Sequence, residues 1–303
     1  IITNANIATI DDANAITFGA VTTASNLNVD AGGAVTFGGV AGIGGNLDVD
    51  SGANAAGGNI EDTGGEVNVT GTTILDSDVG NIVLDQGNAT LTGNLTLTGA
   101  AITVVNDDAS GITLTGVTGT GNLSLDASNA GGITDAGIIQ VDGTATFDAN
   151  NAGLVDLNNN AHNIDSTITF NNVAALNVDL NNSSGAKTEI AAISAATLDV
   201  LSTAKAITQT GAFTLTGAST FNAGGAAITL TQANDFQGTV ALTNTGANNV
   251  AITDSNALNF AASSVGSGTF TATGVGITQA GAITQAGAGA ATFNAGAGVL
   301  TLT

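Results

Sequence analysis

Short runs of alternating apolar and polar residues recur along the whole chain. They are four or five positions long, as in NLTLTG (94–99), ITLTG (112–116) and FTLTG (213–217). A period of two residues is typical of a β-strand with one buried face, whereas an amphipathic helix repeats every 3.6 residues. Gly, Asn and Asp separate the runs and supply the turns. The pattern therefore predicts an all-β chain of many short strands.

A longer motif repeats at intervals. It consists of Ile, three residues, Gly, an alternating strand, and then Thr followed by a large apolar residue and Asp or Asn. Its copies begin at Ile60, Ile133, Ile207 and Ile277. A different pair of segments, 16–31 and 112–127, aligns without a gap at an offset of 96 residues. Because 96 is not a multiple of the 70–74-residue interval, a smaller unit of roughly 20–25 residues lies beneath it.

A unit of that size is one coil, and one coil cannot bury its apolar face alone, so coils must stack. The absence of Pro agrees with this, because Pro has no N–H to give to a strand ladder. The sequence predicts a right-handed parallel β-helix, or β-solenoid, forming a single elongated rod over residues 1–303. The handedness follows from the general preference for right-handed crossovers. Since Ile1 falls inside a repeat, we expect the chain to be a segment of a longer protein.

The ten aromatic residues are all Phe. Phe147, Phe221 and Phe293 occupy the repeat position that Leu75 occupies in another copy. A core position permits this exchange, since volume and apolarity are its only demands. We therefore predict that the Phe side chains fill the core and do not stack on a ligand.

The charge is strongly one-sided. The net charge is −22, from 24 acidic residues against Lys187 and Lys205, and 17 of the acidic residues lie in the first 150 positions. Nucleic-acid binding requires clustered Lys and Arg, so the sequence predicts no nucleic-acid partner. No stretch approaches 18 apolar residues, so we expect no membrane insertion of this segment. An acidic surface of this kind attracts divalent cations.

Carboxylate clusters make Ca²⁺ the one candidate ligand among metals and cofactors. Ca²⁺ takes six to eight oxygen ligands. Asp48 and Asp50 stand two residues apart in GGNLDVDSG (44–52), and Asp11 and Asp12 form a second cluster. We predict weak Ca²⁺ binding at these four residues, with a solvated acidic face as the alternative. No other cofactor is predicted.

Candidate catalytic residues are few. His162 is the only His and lies in the polar segment NNNAHNID (158–165), where we predict a solvent-exposed loop residue. Nucleophilic triads and zinc sites need more partners than one His without Cys. Carboxylate pairs such as Asp76 and Asp78 could serve glycoside hydrolysis, but Trp, Tyr and Arg are absent. The sequence predicts no enzyme, with a polysaccharide-active β-helix as the remaining alternative.

Two polar patterns in the sequence each have more than one interpretation. Thr-x-Thr runs such as 95–98 and 213–216 also occur in ice-binding solenoids, but they do not recur at every coil, and the β-propensity of Thr accounts for them. Turn Asn residues could stack into ladders from coil to coil, with ordinary turn chemistry as an equal alternative. The candidates for such a ladder are Asn158, Asn159, Asn160, Asn171, Asn172, Asn181 and Asn182.

The segments 207–258 and 277–303 resemble the β-strand repeats of filamentous-haemagglutinin-like and autotransporter-like adhesins of bacteria. The resemblance implies a right-handed β-helix that is exported across the outer membrane to a cell-surface or extracellular location. We expect a stiff adhesin stalk for attachment to cells or matrix, through a ligand that the sequence does not specify. The alternative is a self-assembling extracellular filament or sheath subunit. Both ends fall within a repeat, so unpaired strand edges would favour end-to-end or side-by-side association.

Overall fold

The computed structural model describes residues 2–52, 57–127, 131–149, 154–183 and 185–303. Every regular element in these residues is a β-strand, and none of them belongs to a helix that could cross a membrane. The all-β prediction is therefore confirmed. The chain divides into two compact units, Ile1–Leu154 and Val155–Thr303. A single continuous rod over the whole chain, like its right-handed winding, stays a prediction.

The first unit has these strands in its described residues: β1 (Ile2–Ala5), β2 (Ala8–Asp12), β3 (Ile16–Phe18), β4 (Val21–Thr23), β5 (Leu27–Ala31), β6 (Val35–Phe37), β7 (Ala41–Ile43), β8 (Leu47–Asp50), β9 (Ile60–Asp62), β10 (Val67–Val69), β11 (Thr73–Asp76), β12 (Ile82–Leu84), β13 (Thr90–Leu91), β14 (Leu95–Gly99), β15 (Ile102–Val105), β16 (Ile112–Gly119), β17 (Leu123–Ala127), β18 (Ile133–Asp135), β19 (Ile139–Val141) and β20 (Ala145–Ala149).

The second unit has these strands in its described residues: β21 (Val155–Leu157), β22 (Asn163–Ile164), β23 (Thr167–Asn171), β24 (Asn177–Asn181), β25 (Lys187–Ile190), β26 (Ile193–Ala195), β27 (Thr197–Leu201), β28 (Ala206–Gln209), β29 (Phe213–Leu215), β30 (Ser219–Gly224), β31 (Ile228–Phe236), β32 (Thr239–Asn244), β33 (Val250–Asp254), β34 (Leu258–Phe260), β35 (Ser263–Val265), β36 (Phe270–Thr273), β37 (Ile277–Gln279), β38 (Ile283–Gln285), β39 (Ala291–Asn294) and β40 (Leu300–Thr301).

In the first unit most strands pair in parallel with the strand three places further along the chain. One sheet runs β1–β4–β7–β10–β13, a second β2–β5–β8–β11–β14–β16, and a third β3–β6–β9–β12–β15–β17–β20. Each coil thus contributes one strand to each of three sheets, which is the arrangement of a β-solenoid. The long strand β16 pairs with both β18 and β19. The predicted solenoid architecture is confirmed.

The second unit repeats the arrangement with its own parallel sheets. One contains β21–β24–β27–β30–β32 and continues through β34, β35, β37, β38 and β40. Another runs β23–β25–β28–β31–β33–β36–β39, and β26 and β29 form a short third sheet with β31. Val200 is in register with Phe221, and Phe221 with Leu242. The spacing of these three positions lies within the predicted coil length of roughly 20–25 residues.

The apolar side chains of alternate strand positions fill the interior of each unit. Phe18 and Phe37 are in register on β3 and β6, and their rings stack with centroids 5.3 Å apart. In the second unit Phe221 lies 6.2 Å from both Phe213 and Phe236. These rings are buried, as is Phe147. The prediction that Phe fills the core is confirmed for these residues, whereas Phe293 is only half-buried.

Two fully buried Asn residues close the backbone ladder at coil corners. The Oδ1 atom of Asn106 accepts the Leu91 N–H (2.8 Å), and its Nδ2 atom donates to the Leu91 carbonyl (3.0 Å). Asn182 makes the same two bonds with Ile164, at 2.9 and 3.0 Å. A buried backbone group without a partner is costly. Each side-chain amide therefore takes the place of a missing strand at the corner.

Asn ladders exist in the first unit, whereas a ladder at the candidate residues of the second unit stays a prediction. The Oδ1 atom of Asn26 accepts the backbone N–H of Asn46, and the Oδ1 atom of Asn46 accepts that of Thr72, both at 3.0 Å. Asn59 and Asn81 make the same contact at 3.0 Å. These Asn side chains lie just before strands, so each one ties a turn to the turn of the next coil.

The prediction of an exposed His162 is wrong, because this side chain is fully buried. Its backbone N–H donates to the Asn181 carbonyl (2.9 Å), as the N–H of Asn182 donates to the Leu201 carbonyl (3.0 Å). His162 therefore occupies the coil position of buried Asn182, one coil earlier. In a strand, neighbouring residues point to opposite faces. A polar segment without alternation therefore does not show which of its residues point into the core.

Replacing Phe221 by Ala tests the packing of the second unit. We expect Phe221→Ala to lower the free energy of unfolding by about 3–5 kcal/mol, because it leaves a cavity. Phe221→Leu should cost clearly less, because Leu fills the same position in another copy of the repeat. The chain has no Trp or Tyr, so unfolding in urea is followed by circular dichroism. Equal losses for the two variants would contradict the packing argument.

Candidate functional site

Four carboxylates lie in a row on the outer face of the first unit. Asp11 is in register with Asp30, Asp30 with Asp50, and Asp50 with Asp76, on strands β2, β5, β8 and β11. Neighbouring strands in a sheet are about 4.8 Å apart. We call these four residues the first acidic row. It places like charges side by side over four consecutive coils.

A shallow groove of about 330 Å³ runs beside this row. Asp48 lies on the same face two residues before Asp50, so the structure brings together Asp11, Asp48 and Asp50 of the predicted calcium residues. Asp12 lies apart from them, because it is in register with the buried Ala31. Within the described residues, no group of three or more His, Cys, Asp or Glu side chains is arranged to hold a metal ion. Calcium binding stays a prediction.

The sequence reading missed Asp30 and Asp76 as members of the row. A signal for Asp30 was present, since NLNVDA (26–31) and NLDVDS (46–51) match when they are offset by one coil. The coil that leads from Asp50 to Asp76 is longer than the one before it, and this change of length hides the alignment. Only the register of the strands identifies the complete row.

A second acidic row lies on the second unit. Asp156, Asp179 and Asp199 are in register on β21, β24 and β27. Asp179 and Asp199 line a groove of about 370 Å³ together with Asn158 and Asn222. Burial raises the pKa of Asp179, and the negative charges of Asp199 and Asp156 raise it further. A side-chain hydrogen bond with Asp199 adds a smaller rise to the pKa of Asp179.

Other carboxylates serve turns. Buried Asp62 accepts the Asp85 N–H (2.9 Å), and burial raises the pKa of Asp62. The pair that suggested glycoside chemistry is also a turn contact, because Asp76 accepts the backbone N–H of Asp78 at 3.0 Å. Asp78 itself has a left-handed backbone, with φ of 50°. These carboxylates accept hydrogen bonds from backbone N–H groups of turns.

The chemistry available to the two rows is electrostatic. No basic residue is among the side chains that line either groove. Adjacent carboxylates at strand spacing repel one another and attract cations. The rows are therefore places where salt acts on the fold.

The family comparison bears on the whole chain. A family model described as "Repeats of unknown function (DUF5649)" matches residues 4–55, 53–98, 99–171, 175–243 and 247–303. The chain belongs to this family. The five DUF5649 matches cover nearly all of the sequence, which agrees with a molecule built from repeated coils. Comparisons with curated proteins and with solved structures gave no match.

The raised pKa of Asp179 predicts a pH-dependent stability. A folded-state pKa above the unfolded value gives stability that is present at low pH and is lost as pH rises through the folded pKa. We therefore expect Asp179→Asn to be more stable than wild type at neutral pH, by about 0.2–1 kcal/mol. The difference should vanish below the pKa of the unfolded Asp. Urea unfolding at a series of pH values measures it, with the exposed Asp142→Asn as the control. A gain that is the same at every pH would contradict the assignment.

Repulsion within the first acidic row predicts a salt effect. We expect NaCl to slow amide hydrogen exchange in peptides spanning 27–50 more strongly in wild type than in Asp30→Asn, because salt screens like charges. Equal salt effects on the two proteins would contradict it. Ca²⁺ is then compared with NaCl at equal ionic strength. Additional protection by Ca²⁺ would support the calcium hypothesis, and identical protection would contradict it.

Proposed function

We propose that this chain is a non-catalytic structural β-solenoid that acts as the stiff stalk of a bacterial adhesin, for attachment to cells or matrix. The supporting observation is the coil-to-coil register within each unit. From Leu27 through Leu47 to Thr73, successive coils are joined by backbone hydrogen bonds over a core whose side chains are almost completely buried. A body in which each coil is bonded to its neighbours resists bending and local unfolding.

The location that we propose is the outer surface of a bacterium. The resemblance of 207–258 and 277–303 to filamentous-haemagglutinin-like and autotransporter-like repeats supports it. The excess of negative charge supports it as well, because mutual repulsion keeps copies soluble at a crowded surface. In this proposal the stalk carries attachment through contacts along its length or through a tip that it projects.

A self-assembling extracellular filament or sheath subunit is the second candidate. The observation that favours it is the parallel coil-to-coil pairing itself, because the same backbone hydrogen bonds can join strands of two copies.

Electron microscopy of the purified chain over a concentration series separates the two candidates. For a stalk we expect single particles of constant length at every concentration, because the acidic surface opposes association. The same series is recorded with and without Ca²⁺. Particle length and the presence of any axial repeat are the quantities measured.

Long filaments with a fixed axial repeat would contradict the isolated stalk and support the filament subunit. Filaments that form only with Ca²⁺ would assign the acidic rows to assembly.

A further inference from the structure

Strand β33 of the second unit carries a carboxyl group on its inward face. Val250, Ile252 and Asp254 alternate toward the interior, and Asp254 is only 2% exposed at the point where the strand ends. Its register partner in the preceding coil is the fully buried Asn234. The same corner of the solenoid is therefore closed by a carboxamide in one coil and by a carboxyl group in the next.

The Asn234 side chain shows which hydrogen bonds this corner position makes. Its Oδ1 atom accepts the Phe213 N–H at 2.8 Å. Its Nδ2 atom donates to the Thr253 carbonyl of the next coil at 2.9 Å and to the Leu230 carbonyl at 3.2 Å. The side chain at the corner thus both accepts and donates, and a carboxamide can do both at any pH.

Asp254 in its ionised form can accept hydrogen bonds but cannot donate one. Its Oδ1 atom accepts the Asn256 N–H at 3.0 Å, whereas no hydrogen bond reaches its buried Oδ2 atom from the described residues. A charged oxygen that is buried without a partner is costly. Buried Asp62 differs, because the N–H groups of Asp85 and Gln86 each reach one of its oxygens. Protonation of Asp254 removes the buried charge and supplies the donor that the carboxylate lacks.

The electrostatic surroundings of Asp254 are simple. Residues 206–303 contain no Lys, Arg or His, and Asp235 on β31 is their only other titratable side chain. Asn256 contacts both carboxyl groups, since its N–H donates to Asp254 and its Nδ2 atom donates to Asp235 at 2.9 Å. Burial raises the pKa of Asp254, backbone N–H groups such as that of Asn256 oppose the rise, and the negative charge of Asp235 adds to it.

We propose that the corner at Asp254 is a pH-sensitive switch in the second unit. The coil at residues 250–258 opens less often when Asp254 is protonated and more often when it is ionised. A group that holds its proton more tightly in the folded state gives stability at low pH, and this stability is lost as pH rises through the folded-state pKa. Acidification therefore strengthens this coil, whereas the corner at Asn234 keeps its hydrogen bonds at every pH.

Hydrogen exchange in the full chain, followed by mass spectrometry at a series of pH values, tests the switch. Asp254→Asn supplies a donor and removes the charge at every pH. In peptides spanning 250–258 we expect exchange at neutral pH to be about tenfold slower in Asp254→Asn than in wild type, because one unmade buried hydrogen bond shifts an opening equilibrium by roughly that factor. The ratio of the two rates should approach one as pH falls below the pKa of the unfolded Asp. Comparing both proteins at the same pH cancels the intrinsic pH dependence of exchange.

Asn234→Asp is the reciprocal variant. It replaces the donating nitrogen by a carboxylate oxygen, so peptides spanning 228–236 should lose protection at neutral pH and regain it on acidification. Asp235→Asn is the matched control, because it removes the neighbouring charge and leaves the Asp254 carboxyl group in place. In this control the pH dependence of protection in peptides spanning 250–258 should persist and move to lower pH.

Two outcomes would overturn the proposed switch. One is a ratio of exchange rates between wild type and Asp254→Asn that is the same at every pH. The other is a pH dependence of protection that persists in Asp254→Asn and disappears in Asp235→Asn, because the titrating group would then be Asp235. Circular dichroism at each pH establishes that the compared proteins are folded.

Discussion

Each coil leaves an apolar face and rows of unpaired backbone groups that only another coil can satisfy, and the whole structure depends on meeting that demand. Parallel pairing at about 4.8 Å supplies the hydrogen bonds and brings equal positions of successive coils into contact. Leu47, paired on both sides, has no exposed surface, whereas Leu300 with one neighbour is 49% exposed. Where the ladder turns a corner, buried Asn106 and Asn182 provide the bonds that a strand would make.

Because successive coils are in register, each side chain lies beside the side chain at the equivalent position of the next coil, and any attraction or repulsion between them recurs along the stack. At inward positions the effect is favourable, because Phe18 stacks on Phe37 and removes apolar surface from water. At outward positions the sign depends on the side chain. Carboxylates in register repel, which is why the neighbours of Asp179 help to raise its pKa. Thr side chains in register can bond to each other, as the Thr113 and Thr134 hydroxyls do at 3.2 Å.

Local alternation was sufficient to predict strands, coil length and the Phe core, because each of these depends on residues near in sequence or on repeats of similar size. The rows were not predictable in the same way. Leu27, Leu47, Thr73 and Leu95 occupy equivalent positions, but the coils between them differ in length, so a constant offset does not find them. His162 shows the same limit at one residue: NNNAHNID (158–165) has no clear alternation, and only the structure shows that the His162 side chain faces the core.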